Sequence, residues 1–197
     1  MHTPWGYEVS GALPALLDAE TFAEMTGNRH SGDIRVQHAL DAASAAVRGR
    51  CGWHVSPSVE CTARVTAQGR MAVLPARLVT AVSSVSDGGT VLGGGEYEAR
   101  SDGLLRRCCF RVWNPSWEAV EVSYTAGFEP SECADLLDVV AHLAEVALNS
   151  SAGVMSESAG GVSVSYDTSA QDIAAALEGR GVASILSQYR LVSSHAL

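Results

Sequence analysis

Residues 120–148 read VEVSYTAGFEPSECADLLDVVAHLAEVAL, and the change of period inside them decides the fold class. The run up to Phe128 is the last of several short apolar segments and reads as a strand. From Pro130 the pattern is helical. Pro130 and Ser131 start the helix, and Glu132 and Asp135 suit its N-terminal end. Leu136, Val140, Leu143 and Ala147 then recur at 4-3-4 spacing, an apolar stripe that fades at Asn149.

Working backwards from this junction, residues 53–125 alternate short apolar runs with turns: VECTARVTA, MAVLPARLVTAVSSVS, a GGG tract, EYEARSDGLLRRCCFRVW and WEAVEVSYTAGF. Asp87-Gly88 and Asp102-Gly103 are hairpin-type turn signals. About four to six antiparallel strands are expected here. Before them, SGDIRVQHALDAASAAVRGRCGW predicts a helix capped by Ser31 or Asp33. Ile34, Leu40, Ala43 and Val47 lie near one face, and Gly49 or Gly52 ends it. A shorter helix is expected over about 15–26, and residues 1–14 read as an irregular arm.

After the long helix, SAGVMSESAGGVSVSYDT (151–168) places Val162, Val164 and Tyr166 in alternation with Ser163, Ser165 and Asp167. That is a half-buried strand with no neighbouring strand in the sequence around it. QDIAAALEGRGVASILSQYRL then suggests two short helices around Gly179 and Gly181, with Ile185, Leu186 and Tyr189 buried. The expected fold is α+β: a helical bundle core with an inserted small antiparallel β region and a C-terminal strand-helix extension. Its divisions are an arm at 1–14, a helical core at 15–52 and 130–150, the β region at 53–129, and the connector, strand and last helix at 151–197.

The 197 residues carry a net charge of −9, and every basic residue is arginine. An acidic chain is poorly suited to wrapping nucleic acid by phosphate neutralisation. The start has no basic end followed by an apolar stretch, so the five cysteines are expected to be reduced thiols of a cytosolic protein. No apolar run approaches a membrane span.

Chemistry is sparse. Cys51 and His54 stand in a Cys-x-x-His spacing with Cys61 beyond, short of the four ligands a closed zinc site needs. Cys108 and Cys109 are adjacent and would point to opposite faces of a strand. His142 falls mid-helix, and the glycine tracts lack the lysine and hydroxyl residue of a phosphate loop. Neither a catalytic set nor a cofactor or metal site is expected. Arg106, Arg107 and Arg111 form the one dense basic spot, either a solvated strand face or a contact with an acidic partner.

The order of elements resembles the head-to-tail connector (adaptor) proteins of long-tailed double-stranded DNA phages, in the form common among phages of actinobacteria. DAASAAVRGRCGWHVSP, LPARLVTAVSSVSDGG, VEVSYTAGFEP, SAGVMSESAGGVSVSYDT and the closing SQYR carry the resemblance, which spans nearly the whole chain. The vicinal cysteines and the first fourteen residues have no counterpart in it.

The resemblance implies a structural virion protein, not an enzyme. It would form a ring, usually of twelve subunits, beneath the portal, joining capsid to tail and extending the DNA channel. The expected location is the virion neck, assembled in the host cytoplasm. Expected partners are other copies of the chain, the portal protein and a stopper or tail-terminator protein. DNA would pass without specific binding.

Within that scheme Val162, Val164 and Tyr166 pair either with a neighbouring chain or with the subunit's own β region. Glu157, Asp167, Asp172 and Glu178 are candidate channel-facing carboxylates. Tyr189, Arg190, Leu191 and Leu197 are candidates for portal docking. The alternatives are another neck component, a thiol hydrolase using Cys51 or Cys109, and a generic helical interaction module.

Overall fold

The structure, a computed structural model, describes residues 1–150, 157–159, 162–164 and 168–191. The fold is α+β and divides into two units. A β unit comprises Met1–Leu13, Cys51–Glu132 and the described residues from Tyr189 onward; a helical unit comprises Pro14–Arg50 and Cys133–Gln188.

In chain order the β unit contains β1 (Tyr7–Val9), β2 (Val59–Val65), β3 (Met71–Val73), β4 (Val79–Asp87), β5 (Thr90–Val91), β6 (Tyr97–Ala99), β7 (Leu104–Arg107) and β8 (Val120–Ala126). Five of them form an antiparallel sheet ordered β1-β2-β8-β4-β5, and β3-β7-β6 form a second. The central strand is β8, paired along its whole length with β2 from Val59↔Ala126 to Val65↔Val120. Its alternation is strict: Val120, Val122, Tyr124 and Ala126 are buried, while Glu121, Ser123 and Thr125 are half-buried on the other face. Two register shifts bend β4 against it, between Val79 and Ala81 and between Val82 and Ser84.

Both turn signals close hairpins. Between Asp87 and Thr90, Gly88 and Gly89 take φ of 57° and 85°, the paired positive values of a two-residue type I′ turn. Gly103 has φ of 82°, and a Cβ there would lie 2.6 Å from the Ala76 carbonyl oxygen. Between residues 53 and 126 there are seven strands instead of the four to six expected. Strands of two to four residues, such as β3, β5 and β6, are too short to show a period. The arm expected at the start is structured too. Tyr7–Val9 pairs with β2, and the chain doubles back over it through Thr3 N to Tyr7 O and Val9 N to Met1 O, both 2.9 Å.

The helical unit contains α1 (Ala19–Met25), α2 (Val36–Cys51), α3 (Ala134–Ser150), β9 (Glu157–Ala159), β10 (Val162–Val164), α4 (Thr168–Leu177) and α5 (Arg180–Tyr189); the last residues of α2 and α5 belong to the β unit. Asp18 caps α1, accepting from Thr21 N at 2.8 Å. Asp33 accepts from Arg35 N at 2.9 Å ahead of α2. Arg35's side-chain and backbone donors hold the Asp33 carboxyl down at about 2.

Leu40, Ala43 and Val47 are buried as the spacing predicts, whereas Ile34 precedes the helix and is exposed. The stripe Leu136, Val140, Leu143 and Ala147 is buried. Each such leucine contributes about 1.5–3 kcal/mol by leaving water. The long helix begins at Ala134, not Pro130: Pro130–Glu132 form a single 3-10 turn, closed by the Glu132 carboxylate accepting from Glu129 N at 2.9 Å. Arg29 reaches Glu145 of α3 at 2.8 Å. No described helix is long and apolar enough to cross a membrane.

Candidate assembly surfaces

Three sequence motifs far apart in the chain meet inside the β unit. Gly52, at φ of 79°, ends α2 and turns the chain inward at Trp53. The Trp53 ring is fully buried, and its indole N–H donates to Tyr189 O at 2.7 Å. Leu191 N donates to Cys51 O at 2.8 Å. Phe128, from the strand-to-helix junction, sits edge-on to Trp53 at 6.0 Å and to Tyr189 at 5.3 Å, while its N–H donates to Val55 O.

Beside this cluster His54 is buried, with Nε2 2.9 Å from Ala126 O and Nδ1 2.7 Å from the Tyr7 hydroxyl. A carbonyl oxygen only accepts, so Nε2 carries the proton and Nδ1 accepts from the Tyr7 O–H. The Tyr7 oxygen in turn accepts from His54 N at 3.0 Å. The imidazole's two nitrogens are therefore committed to structure, not to a metal or a nucleophile. Among the described residues no group of three or more His, Cys, Asp or Glu side chains could hold an ion. Gly127 has φ of 120°; a Cβ there would collide with Pro57 O and come within 2.9 Å of His54 Nε2.

This cluster fixes the end of α5. Tyr189 is buried inside its own subunit, so its ring is not free for docking as the sequence suggested. Leu191 is half-buried and tied to Cys51, and Arg190 is exposed. Leu197 lies outside the described residues. The stretch ending in SQYRL is thus held as far as Leu191.

The strand at Val162–Val164 is not alone. It pairs antiparallel with Glu157–Ala159, in the register Val162↔Ala159, Ser163↔Ser158 and Val164↔Glu157. Within the chain its partner strand is thus its own lead-in, not the β region. The missed signal was Gly160-Gly161, a two-residue glycine link between extended segments. Among the described residues the second edge of β10 has no strand beside it. Tyr166, like Asp167, lies outside the described residues.

Of the candidate carboxylates, Glu157 belongs to β9 and Asp172 is half-buried on α4. Glu178 is exposed after α4 and 3.4 Å from Arg50.

The basic spot is largely compensated. Arg106 pairs with Glu98 at 2.6 Å and Arg111 with Glu96 at 3.3 Å. Arg107 is buried, 3.8 Å from both Asp87 and Glu96, with its guanidinium over the Trp113 ring at 5.2 Å. Cys51, Cys61 and Cys133 are buried, and burial pushes the Cys61 thiol up to about 12.

Sequence reading passed over the loop from Cys108 to Glu118. It exposes Phe110 (91%), Val112 (62%) and Trp117 (80%). Cys109, Phe110 and Glu118 hold φ of 53°, 58° and 49°. The left-handed region costs a side-chain-bearing residue about 1–2 kcal/mol. The available signal was three aromatics within CCFRVWNPSW.

The head completion protein family matches residues 15–192. The chain belongs to this family. Its role is accordingly structural, in completion of the head. Solved chains share the head completion protein's fold. One, from the neck of an empty gene transfer agent particle computed with C6 symmetry, matches with TM-score 0.59 and 17% identity over 97% of this chain and 98% of that one. A second, from the neck of the native particle computed with C12 symmetry, gives 0.56 and 20% over the same shares. A third, from the virion of the native particle, gives 0.54 and 20% over 97% and 98%. No curated protein matches the chain.

Proposed function

We propose that this head completion protein forms a ring of twelve copies in a virion neck, seated beneath the portal, joining capsid to tail and continuing the DNA channel. The observation that carries the reading is the family match over residues 15–192. Likeness in fold to chains of a neck computed with C12 symmetry supports the ring. The ring catalyses nothing. His54 is committed to Tyr7 and Ala126, and three of the five thiols are buried.

Identical chains in a ring meet through two different faces, each subunit offering one and receiving on the other. The second edge of β10 is suited to such a contact by strand addition. Arg190, exposed next to the buried Tyr189, is the candidate contact to the portal. Asp172 and Glu178 are carboxylates for the channel wall, where negative charge repels the DNA backbone and keeps it moving.

Imaging the purified chain with and without its portal tests the reading. A twelve-fold ring on the portal is expected. A portal left bare at saturating protein, or a ring that binds DNA strongly and with steep salt dependence, refutes it.

A further inference from the structure

We propose that the loop between β7 and β8, residues 108–118, is the surface by which each copy grips the helical unit of the next copy. The inference rests on the ring reading above. Seven large apolar residues are exposed among those described, and three of them, Phe110, Val112 and Trp117, fall within eight consecutive positions. Trp and Arg are among the residue types that carry most binding energy in protein interfaces, and Phe is enriched there. The loop carries them with Arg70 5.3 Å from the Phe110 ring; Arg111, next in the chain, is already paired with Glu96.

The loop is rigidly held. Cys108 N donates to Glu96 O (2.9 Å), Trp113 N to Gly69 O (2.8 Å) and Trp113 Nε1 to Arg70 O (3.0 Å). Asn114 N donates to Asp87 Oδ1 (3.0 Å), and Glu118 N to Thr66 Oγ1 (2.9 Å). A backbone anchored in this way leaves less freedom to be lost on docking. The positive φ at Cys109 and Phe110 is a backbone outlier kept where it displays a side chain instead of burying it.

Charge and area point to a second copy as the occupant. By sequence, residues 14–50 and 133–188 carry twelve carboxylates against five arginines, while the rest of the chain carries ten against eight. The chain's acidic excess is thus concentrated in its helical unit, and the arginine-backed aromatic loop lies in the other. Covering a Phe and a Trp removes about 150–250 Å² each. That falls short of the roughly 800 Å² per partner of a stable binary complex. Such a contact holds where every copy both gives and receives, as in a closed ring, and leaves the isolated chain monomeric.

The test uses the full chain assembled on its portal, with half of the chains ¹⁵N-labelled and Cys109, which is exposed, carrying a maleimide photo-cross-linker. Electron microscopy of the same sample scores the ring. The expected result is a ring in which Cys109 links labelled to unlabelled chains at peptides from 14–50 or 133–188. A ring in which Cys109 links to the portal, to another neck protein or only within its own chain overturns the assignment and leaves the ring reading standing. Absence of the ring overturns both. In parallel, the double variant Phe110→Ser/Trp117→Ser should keep its melting temperature, since both side chains are exposed, while ring occupancy falls about tenfold or more. Unchanged occupancy overturns the proposal.

Discussion

Replacing Tyr7 by Phe removes one oxygen from the β unit and nothing else. The ring that fills the space, 1% exposed, stays in place. That oxygen donates to His54 Nδ1 at 2.7 Å and accepts from His54 N at 3.0 Å, so its loss strands two polar groups of a buried residue at once. Leaving a buried donor or acceptor unpaired costs about 1–3 kcal/mol. Two of them put the expected destabilisation at about 2–6 kcal/mol. Urea unfolding followed by tryptophan fluorescence reads it directly, because Trp5, Trp53, Trp113 and Trp117 all lie in this unit. With a slope of about 2 kcal/mol per molar urea, the midpoint should fall by roughly 1–3 M at unchanged slope. The half-buried Tyr97→Phe is the control, with no shift expected. A loss below about 0.5 kcal/mol for Tyr7→Phe would mean that the first strand does not dock on His54 as described.

Gly127→Ala should cost about 3 kcal/mol or more, read as lost soluble yield or a lowered melting temperature, because the added carbon meets Pro57 O at a φ of 120°. A fully stable variant would show that this close approach is absent. Thiol labelling with iodoacetamide at neutral pH should modify Cys109 first and spare Cys51, Cys61 and Cys133 until denaturant is added. Fast labelling of Cys51 in the folded chain would revive the hydrolase alternative.

The helices and the central strand were legible because burial imposes a period. Leu136, Val140, Leu143 and Ala147 repeat over three turns of α3, and the residues of β8 alternate over its full length. Tyr7–Val9 was not legible: three residues between Gly6 and Gly11 carry no period, and their partner strand lies more than fifty residues away. The partner of β10 was hidden because Glu-Ser-Ala has no strand character of its own and pairs only through the glycine link. Ile34 reads as part of the apolar face, but the helix starts after it, so apolar character alone does not bury it. The exposed loop at 108–118 was least legible. A loop that displays Phe110 and Trp117 has the composition of a small core until the backbone shows which way they face.

The hydrogen bond from the Trp53 indole to the Tyr189 carbonyl spans 136 positions of sequence. At about 5–20 residues per second, a ribosome needs several seconds to half a minute to make the acceptor after the donor has been placed. Throughout that interval the largest side chain at the heart of the β unit has no terminal lock, and Phe128 has only one of its two ring neighbours. All eight strands of the β unit are therefore made before α3, α4 and α5, yet their core is closed only when Tyr189 follows.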